Sequence, residues 1–219
     1  TPKTSSAASD VYKRQIKSAS KACAGFLLER ETEFLSKALN NYDHPYIAVI
    51  GGAKVSTKLE LIKHINSVAD QIIVGGGIAN TFLKASGLKI GKSLVEDSML
   101  DIAKDLLVQG KIVLPNVIIT SKTFEGEDIK ETSAKDVKDE EMILDLHLSD
   151  EILTSLNRAK TILWNGPMGV FENKLFSKGT KDLSIAIANS SAFSIAGGGE
   201  TLSAINKSIK SDDVSYCST

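Results

Sequence analysis

The sequence predicts an α/β fold, a Rossmann-like three-layer sandwich around a mainly parallel sheet. Two observations predict it. Short β-branched runs alternate along the chain with helical patterns, and four of these runs end directly in a glycine cluster. Strands that alternate with helices imply right-handed crossovers and a parallel sheet covered on both faces. Such sheets bind ligands beyond the carboxyl ends of their strands, and that is where all four clusters fall.

Taken in order, residues 1–17 are Ser/Ala-rich without a sustained period and read as a flexible tail foreign to the domain. Residues 18–40 turn helical, with Phe26, Phe34, Leu35 and Leu39 along one face. The domain proper is expected over 41–219. Tyr46–Ile50 reads as a strand entering Gly51-Gly52-Ala53-Lys54, and the following helix buries Leu61, Ile62, Ile65, Val68 and Ala69. Thr57 and Glu60 have capping-box spacing at its start. Ile72–Val74 enters Gly75-Gly76-Gly77. Met99, Ile102, Ala103, Leu106 and Leu107 mark a further helix, stopped by Gly110. Ile112–Leu114 and Val117–Thr120 read as strand interrupted at Pro115, and 121–141, rich in acids and lysines without period, as a solvated excursion. Thr161–Trp164 enters Asn165-Gly166-Pro167-Met168-Gly169, Phe193–Ala196 enters Gly197-Gly198-Gly199-Glu200-Thr201, and Val214–Tyr216 reads as one more strand.

Composition narrows the function classes. A net charge of −1 leaves no clustered cationic excess for nucleic acid or an anionic membrane. No apolar run is long enough for a membrane span, and the amino end lacks a secretory h-region. Cys23 and Cys217 match no metal or redox spacing and read as free thiols. A cytoplasmic, monomeric protein is expected.

Each glycine cluster taken alone is better explained as a sharp strand-to-helix turn. Four on one edge favour a phosphorylated ligand, because glycine lets backbone amides approach closely and helix N-termini favour phosphate charge. Gly75-x-Gly77-x-x-Asn80 lacks the third glycine of the dinucleotide motif, and Gly87 to Ser93 fails as a P-loop because Ser86 stands at the first glycine. Lys54 lies inside the first turn, where an ammonium can neutralise a transferring phosphoryl group, whereas Lys58 alone reads as solvated. Glu172 and Glu200 each follow a cluster and are candidates for a ribose contact or Mg²⁺, or for carboxylates near a helix start.

At these loops the sequence resembles phosphoglycerate kinase. Gly51-Gly52-Ala53-Lys54-Val55-Ser56-Thr57-Lys58, Gly75 to Leu83, Gly91-Lys92-Ser93-Leu94, Trp164 to Glu172 and Gly197-Gly198-Gly199-Glu200-Thr201 follow the family's order from about residue 18 onward, and Ala22-Cys23-Ala24-Gly25 enters its interdomain segment. The resemblance implies a phosphotransferase with a carboxyl group as acceptor, moving a phosphoryl group between 1,3-bisphosphoglycerate and MgADP to give 3-phosphoglycerate and MgATP in glycolysis. It implies that Lys54 follows the migrating group and that Lys58 contacts nucleotide phosphates. Gly76 would border the adenine pocket, and Gly166, Met168, Phe171 and Glu172 the adenosine site. Gly198, Gly199 and Thr201 would face phosphate, and Glu200 would hold Mg²⁺ where the family usually has Asp. The same resemblance implies that a partner domain holds the phosphoglycerate, so the chain alone is expected to be inactive. A non-catalytic nucleotide-binding module and a purely structural α/β domain stay open beside this reading.

Overall fold

A computed structural model describes residues 42–218; the expected tail, the helical segment 18–40 and Cys23 lie outside the described residues. Six parallel strands form the main sheet: β1 (Tyr46–Ile50), β2 (Gln71–Val74), β3 (Ile112–Val113), β7 (Thr161–Asn165), β8 (Phe193–Gly197) and β9 (Tyr216–Ser218). They lie in the order β3-β2-β1-β7-β8-β9. The chain winds outward from β1 to β3, returns to β7 beside β1, and winds outward again. The order therefore reverses between β1 and β7, and a crevice opens there above the carboxyl ends.

The strands are apolar on both faces, as expected for a sheet covered twice. Tyr46, Ala48 and Ile50 pack on one side with Ile62 and Ile65 of α1 (Leu59–Val68), Phe82 of α2 (Gly76–Ala85) and Leu106 of α3 (Leu100–Val108). The alternate residues, Ile47 and Val49, pack on the other side. There they meet Ile152 and Leu156 of α4 (Asp150–Arg158), Leu183 and Ile187 of α5 (Lys178–Ala188), and Ala204 and Ile205 of α6 (Gly199–Ser208). A one-residue slip of β1 would exchange the two sets, so both layers fix its register. The expected three layers are present.

Three expectations are corrected. The capping box at α1 does not form: the Thr57 hydroxyl donates to the Lys54 carbonyl at 2.7 Å, and a 3₁₀ turn over Ser56–Lys58 leads into the helix. The residues after Pro115 do not resume β3. Val117–Ser121 (β4) is the centre of a separate antiparallel sheet, between β5 (Lys130–Ser133) and β6 (Met142–Leu146). The stretch 121–141 is accordingly more than a solvated excursion, since it holds β5 and buries Ala134, Val137 and Glu141.

The rejected P-loop does structural work. Lys92 donates its amide to Glu141 O at 2.8 Å and Ser93 Oγ accepts from the Ile143 amide at 2.8 Å, so the segment fastens β6.

Candidate functional site

The four glycine turns meet at the carboxyl edge of the main sheet and interlock there. Gly51 donates to Asn165 O at 3.0 Å, Gly75 to Ile50 O at 3.0 Å, Gly76 to Met168 O at 2.7 Å, and Ile78 to Gly52 O at 3.1 Å. The approach at the strand crossover admits no side chain. A Cβ on Gly51 would stand 1.8 Å from Pro167 O, and Gly166, at φ +111°, would place one 2.3 Å from Gly51 O. Gly51 is required by contact, and Gly166 by contact and by conformation.

Beside the turns a cleft of about 210 Å³ opens between the main sheet and β6. Gly52, Gly76, Met168, Glu172 and Glu200 line it, together with Asn80, Leu94 and residues 142–146. Its walls are mainly apolar and its mouth carries two carboxylates, the composition of a slot for a flat ring with polar groups at one end.

Lys54 is exposed, next in sequence to Ala53 of the cleft lining. Lys58 is half-buried, and its Nζ donates to Gly51 O at 2.5 Å and to Asn165 O at 2.8 Å, bridging the ends of β1 and β7. Burial pulls its ammonium below the usual lysine range, and Glu200 opposes that pull. The solvated reading of Lys58 is therefore corrected: it ties the strand ends together. Ser56 donates its amide (2.9 Å) and its hydroxyl to the Glu96 carboxylate, holding the Lys54 turn to the segment before α3. Those bonds from Ser56, its hydroxyl first, lower the Glu96 carboxyl, with a smaller contribution from the Lys54 ammonium.

The 166–172 loop is suspended from its neighbours. Gly166 donates to Thr201 Oγ1 at 2.8 Å, Met168 to Thr180 Oγ1 at 3.0 Å, and Val170 to Leu144 O at 2.8 Å. The indole of Trp164 donates to Gly166 O at 2.9 Å.

The sequence matches the family model described as phosphoglycerate kinase over residues 6–219. The chain belongs to the phosphoglycerate kinase family. The match starts within the tail set apart above, so the family's pattern reaches further toward the amino end than the motifs indicated. Phosphoglycerate kinases of Blochmanniella pennsylvanica and Haemophilus influenzae are 51% and 48% identical to it, each over 90% of this chain and over 51% and 52% of their own lengths. The solved phosphoglycerate kinase of Coxiella burnetii superposes with a TM-score of 0.85 at 44% identity, over 90% of this chain and 53% of that one. That of Pyrococcus horikoshii gives 0.75 at 31%, over 89% and 51%. The chain thus spans about half the length of the relatives it matches.

Against that family's implied roles, the structure gathers Gly76, Met168, Glu172 and Glu200 on one cleft. Gly198 and Gly199 lie exposed at the start of α6, where helix amides are unpaired and suit an anion. Three residues sit differently. Gly166 is buried against Gly51 and does not line the cleft. Thr201 is buried, and its hydroxyl is spent on Gly197 O (2.7 Å) and the Gly166 amide, so it holds the loop. Phe171 packs in the core with the Lys207 ammonium 4.9 Å from its ring centroid, and it lines a neighbouring basic hollow, not the cleft. Sequence reasoning missed the whole β6 wall, as well as Glu96.

Glu200 is the acidic side chain of the α6 start, and among the described residues no group of three or more His, Cys, Asp or Glu is arranged to hold a metal. An exposed lone carboxylate fits Mg²⁺ that arrives with nucleotide phosphates, since Mg²⁺ is usually bound by one or two carboxylates plus phosphate and water. Among the described residues no helix is long and apolar enough to cross a membrane.

Proposed function

We propose that this chain is the nucleotide-holding half of a phosphoglycerate kinase. In the complete enzyme it would serve transfer of a phosphoryl group between the acyl phosphate of 1,3-bisphosphoglycerate and MgADP. The observation that carries the reading is the convergence of four glycine turns and a helix start on one apolar cleft, with an exposed lysine next in sequence to its lining, in a chain of that family.

In this reading the purine lies in the cleft, with Gly76 and Met168 on one wall and the residues of β6 on the other, and Glu172 accepts from ribose hydroxyls. The amides at the start of α6 face the phosphates. Glu200 would hold Mg²⁺, which when bound would supply neutralisation of phosphate charge. The exposed ammonium of Lys54 faces the space where a second substrate would enter, and it stabilises charge on the phosphoryl oxygens as they move. Lys58 acts on binding through the turns it ties. Fixed amides and a closed cleft orient the nucleotide before transfer and exclude water from the reacting group.

Titration calorimetry with ADP, with and without Mg²⁺, tests this. Binding that Mg²⁺ strengthens and that Glu200→Gln makes insensitive to Mg²⁺ supports the reading. No ADP binding by the folded chain would sink it.

A further inference from the structure

Asp145 on β6 is 2% exposed. Its Oδ2 accepts from the Gly179 amide at 2.9 Å, and the amides of Leu146 and Lys178 also reach the carboxylate. Lys178 and Gly179 begin α5, so the carboxylate meets the positive end of a helix. Its Oδ1 is buried without a hydrogen-bond partner. That oxygen fills the gap between two glycines. A Cβ on Gly169 would stand 2.4 Å from it, and one on Gly179 2.6 Å. The carboxylate is therefore the spacer between the 166–172 loop and the start of α5. Two of the hydrogen bonds that hold the cleft wall end beside it: Val170 donates to Leu144 O, next to Asp145, and Met168 to Thr180 Oγ1, next to Gly179.

We propose that Asp145 is a positioning residue of the nucleotide cleft, its ionised carboxylate fastening the start of α5 and thereby the Met168–Glu172 wall; this deepens the nucleotide-binding reading and rests on it. Burial pushes the Asp145 carboxyl up to about 7, against the Gly179, Leu146 and Lys178 amides, with Asp182 adding to the rise. The charge on this spacer therefore changes across neutrality. Loss of the proton makes Oδ2 a stronger acceptor for the α5 amides and tightens the wall. The fold alone gives no reason for a charge here, since an amide of the same shape keeps an acceptor toward Gly179. The other charged or titratable groups around it are Lys178 and Asp182 on α5, His147 just past the end of β6, and Glu172 at the end of the loop. The adjacent β4, Val117–Ser121, has none.

Trp164 is the single tryptophan of the chain and bonds the loop at Gly166, so its fluorescence reads the wall without a ligand. In the 219-residue chain that fluorescence should titrate with a midpoint near 7. Adenosine, whose lack of phosphate removes the ligand's own titration, should bind roughly three- to tenfold tighter at about pH 8.5 than at about pH 5.5. Asp145→Asn should flatten both responses, and His147→Gln should keep them. A wild-type Trp164 signal flat across neutrality overturns the proposal, as does a response that survives in Asp145→Asn. Adenosine affinity independent of pH sinks the proposal alone, whereas no adenosine binding at any pH sinks the nucleotide reading and the proposal with it.

Discussion

Lys54 and Lys58 carry the same charge on the same turn, but their surroundings divide their work. Lys58 is held by two main-chain carbonyls, and Lys54 stands exposed beside the cleft-lining Ala53. In the two-domain enzyme, Lys54→Ala should lower kcat by roughly two to three decades with little change in nucleotide KM, the pattern of a lost transition-state stabiliser. Lys58→Ala should instead raise nucleotide KM and lower stability by about 1–3 kcal/mol, because it takes the ammonium donor from Gly51 O and leaves Asn165 O only the Gly51 amide. Steady-state kinetics and urea denaturation of the pair separate the two roles. Asp145 adds a pH signature at the same scale. Its carboxyl rises from the ordinary 3.8 to about 7, so the folded chain binds this proton more tightly than the unfolded one. Its contribution is fully favourable below about pH 4 and is lost progressively as pH climbs to about 7. Asp145→Asn should therefore gain stability relative to the parent between pH 5 and 8, by an amount on the order of a few kcal/mol. Denaturant midpoints at the two pH values test it, and an unchanged difference would refute the shift. Lys54 stood out in the sequence because it sits in a glycine turn, whereas the tie that Lys58 makes to two carbonyls did not, because those carbonyls lie at the ends of strands far apart in sequence. Asp145 was not, because a buried acid in Met142–Leu146 carries no local mark of its burial.

At the scale of elements, the parallel strands were legible because each is a β-branched run closed by glycine, and β1 matches its expected bounds residue for residue. The antiparallel sheet was not. β5 reads Lys-Glu-Thr-Ser and is exposed over its first half, so no apolar alternation announces it. α4 was also left unassigned, although Ser149 accepts from the Ile152 amide as its cap and Asp150 and Glu151 follow. The missed sheet supplies one wall of the cleft, so the error fell where function is concentrated. The opposite wall, 166–172, hangs on hydroxyls from two different helices. Thr201→Val keeps the shape but leaves the Gly166 amide without its partner at a buried site. It should cost about 1–3 kcal/mol and weaken ADP binding, while Thr201→Ser, which keeps the hydroxyl, should restore most of both. Equal behaviour of the two variants in thermal melts and calorimetry would show that the hydroxyl holds nothing.

At the scale of the molecule, the charge around the cleft limits what the described residues can do alone. Glu172 and Glu200 line the cleft, Lys58 feels Glu200 and Lys54 feels Glu96, so the local charges leave no cationic excess, and one of the two lysines is spent on carbonyls. The described residues contain one arginine, Arg158, in the last turn of α4 just before β7 begins. That places it at the amino edge of the sheet, away from the cleft. A doubly phosphorylated acyl phosphate calls for several cations, preferably planar guanidinium forks, and for a second surface that closes over it. The relatives are about twice as long as the stretch they share with this chain. The purified 219-residue chain should therefore bind MgADP yet form no ATP from 1,3-bisphosphoglycerate. Supplying the complementary half of a relative, fused or in trans, should restore turnover, and Lys54→Ala should abolish most of what is restored. Coupled-assay rates on the chain, on the reassembled pair and on the variant decide the matter. Turnover by the chain alone at rates near those of the pair would mean that its own residues hold both substrates, and the division into a nucleotide half and a substrate half would fall.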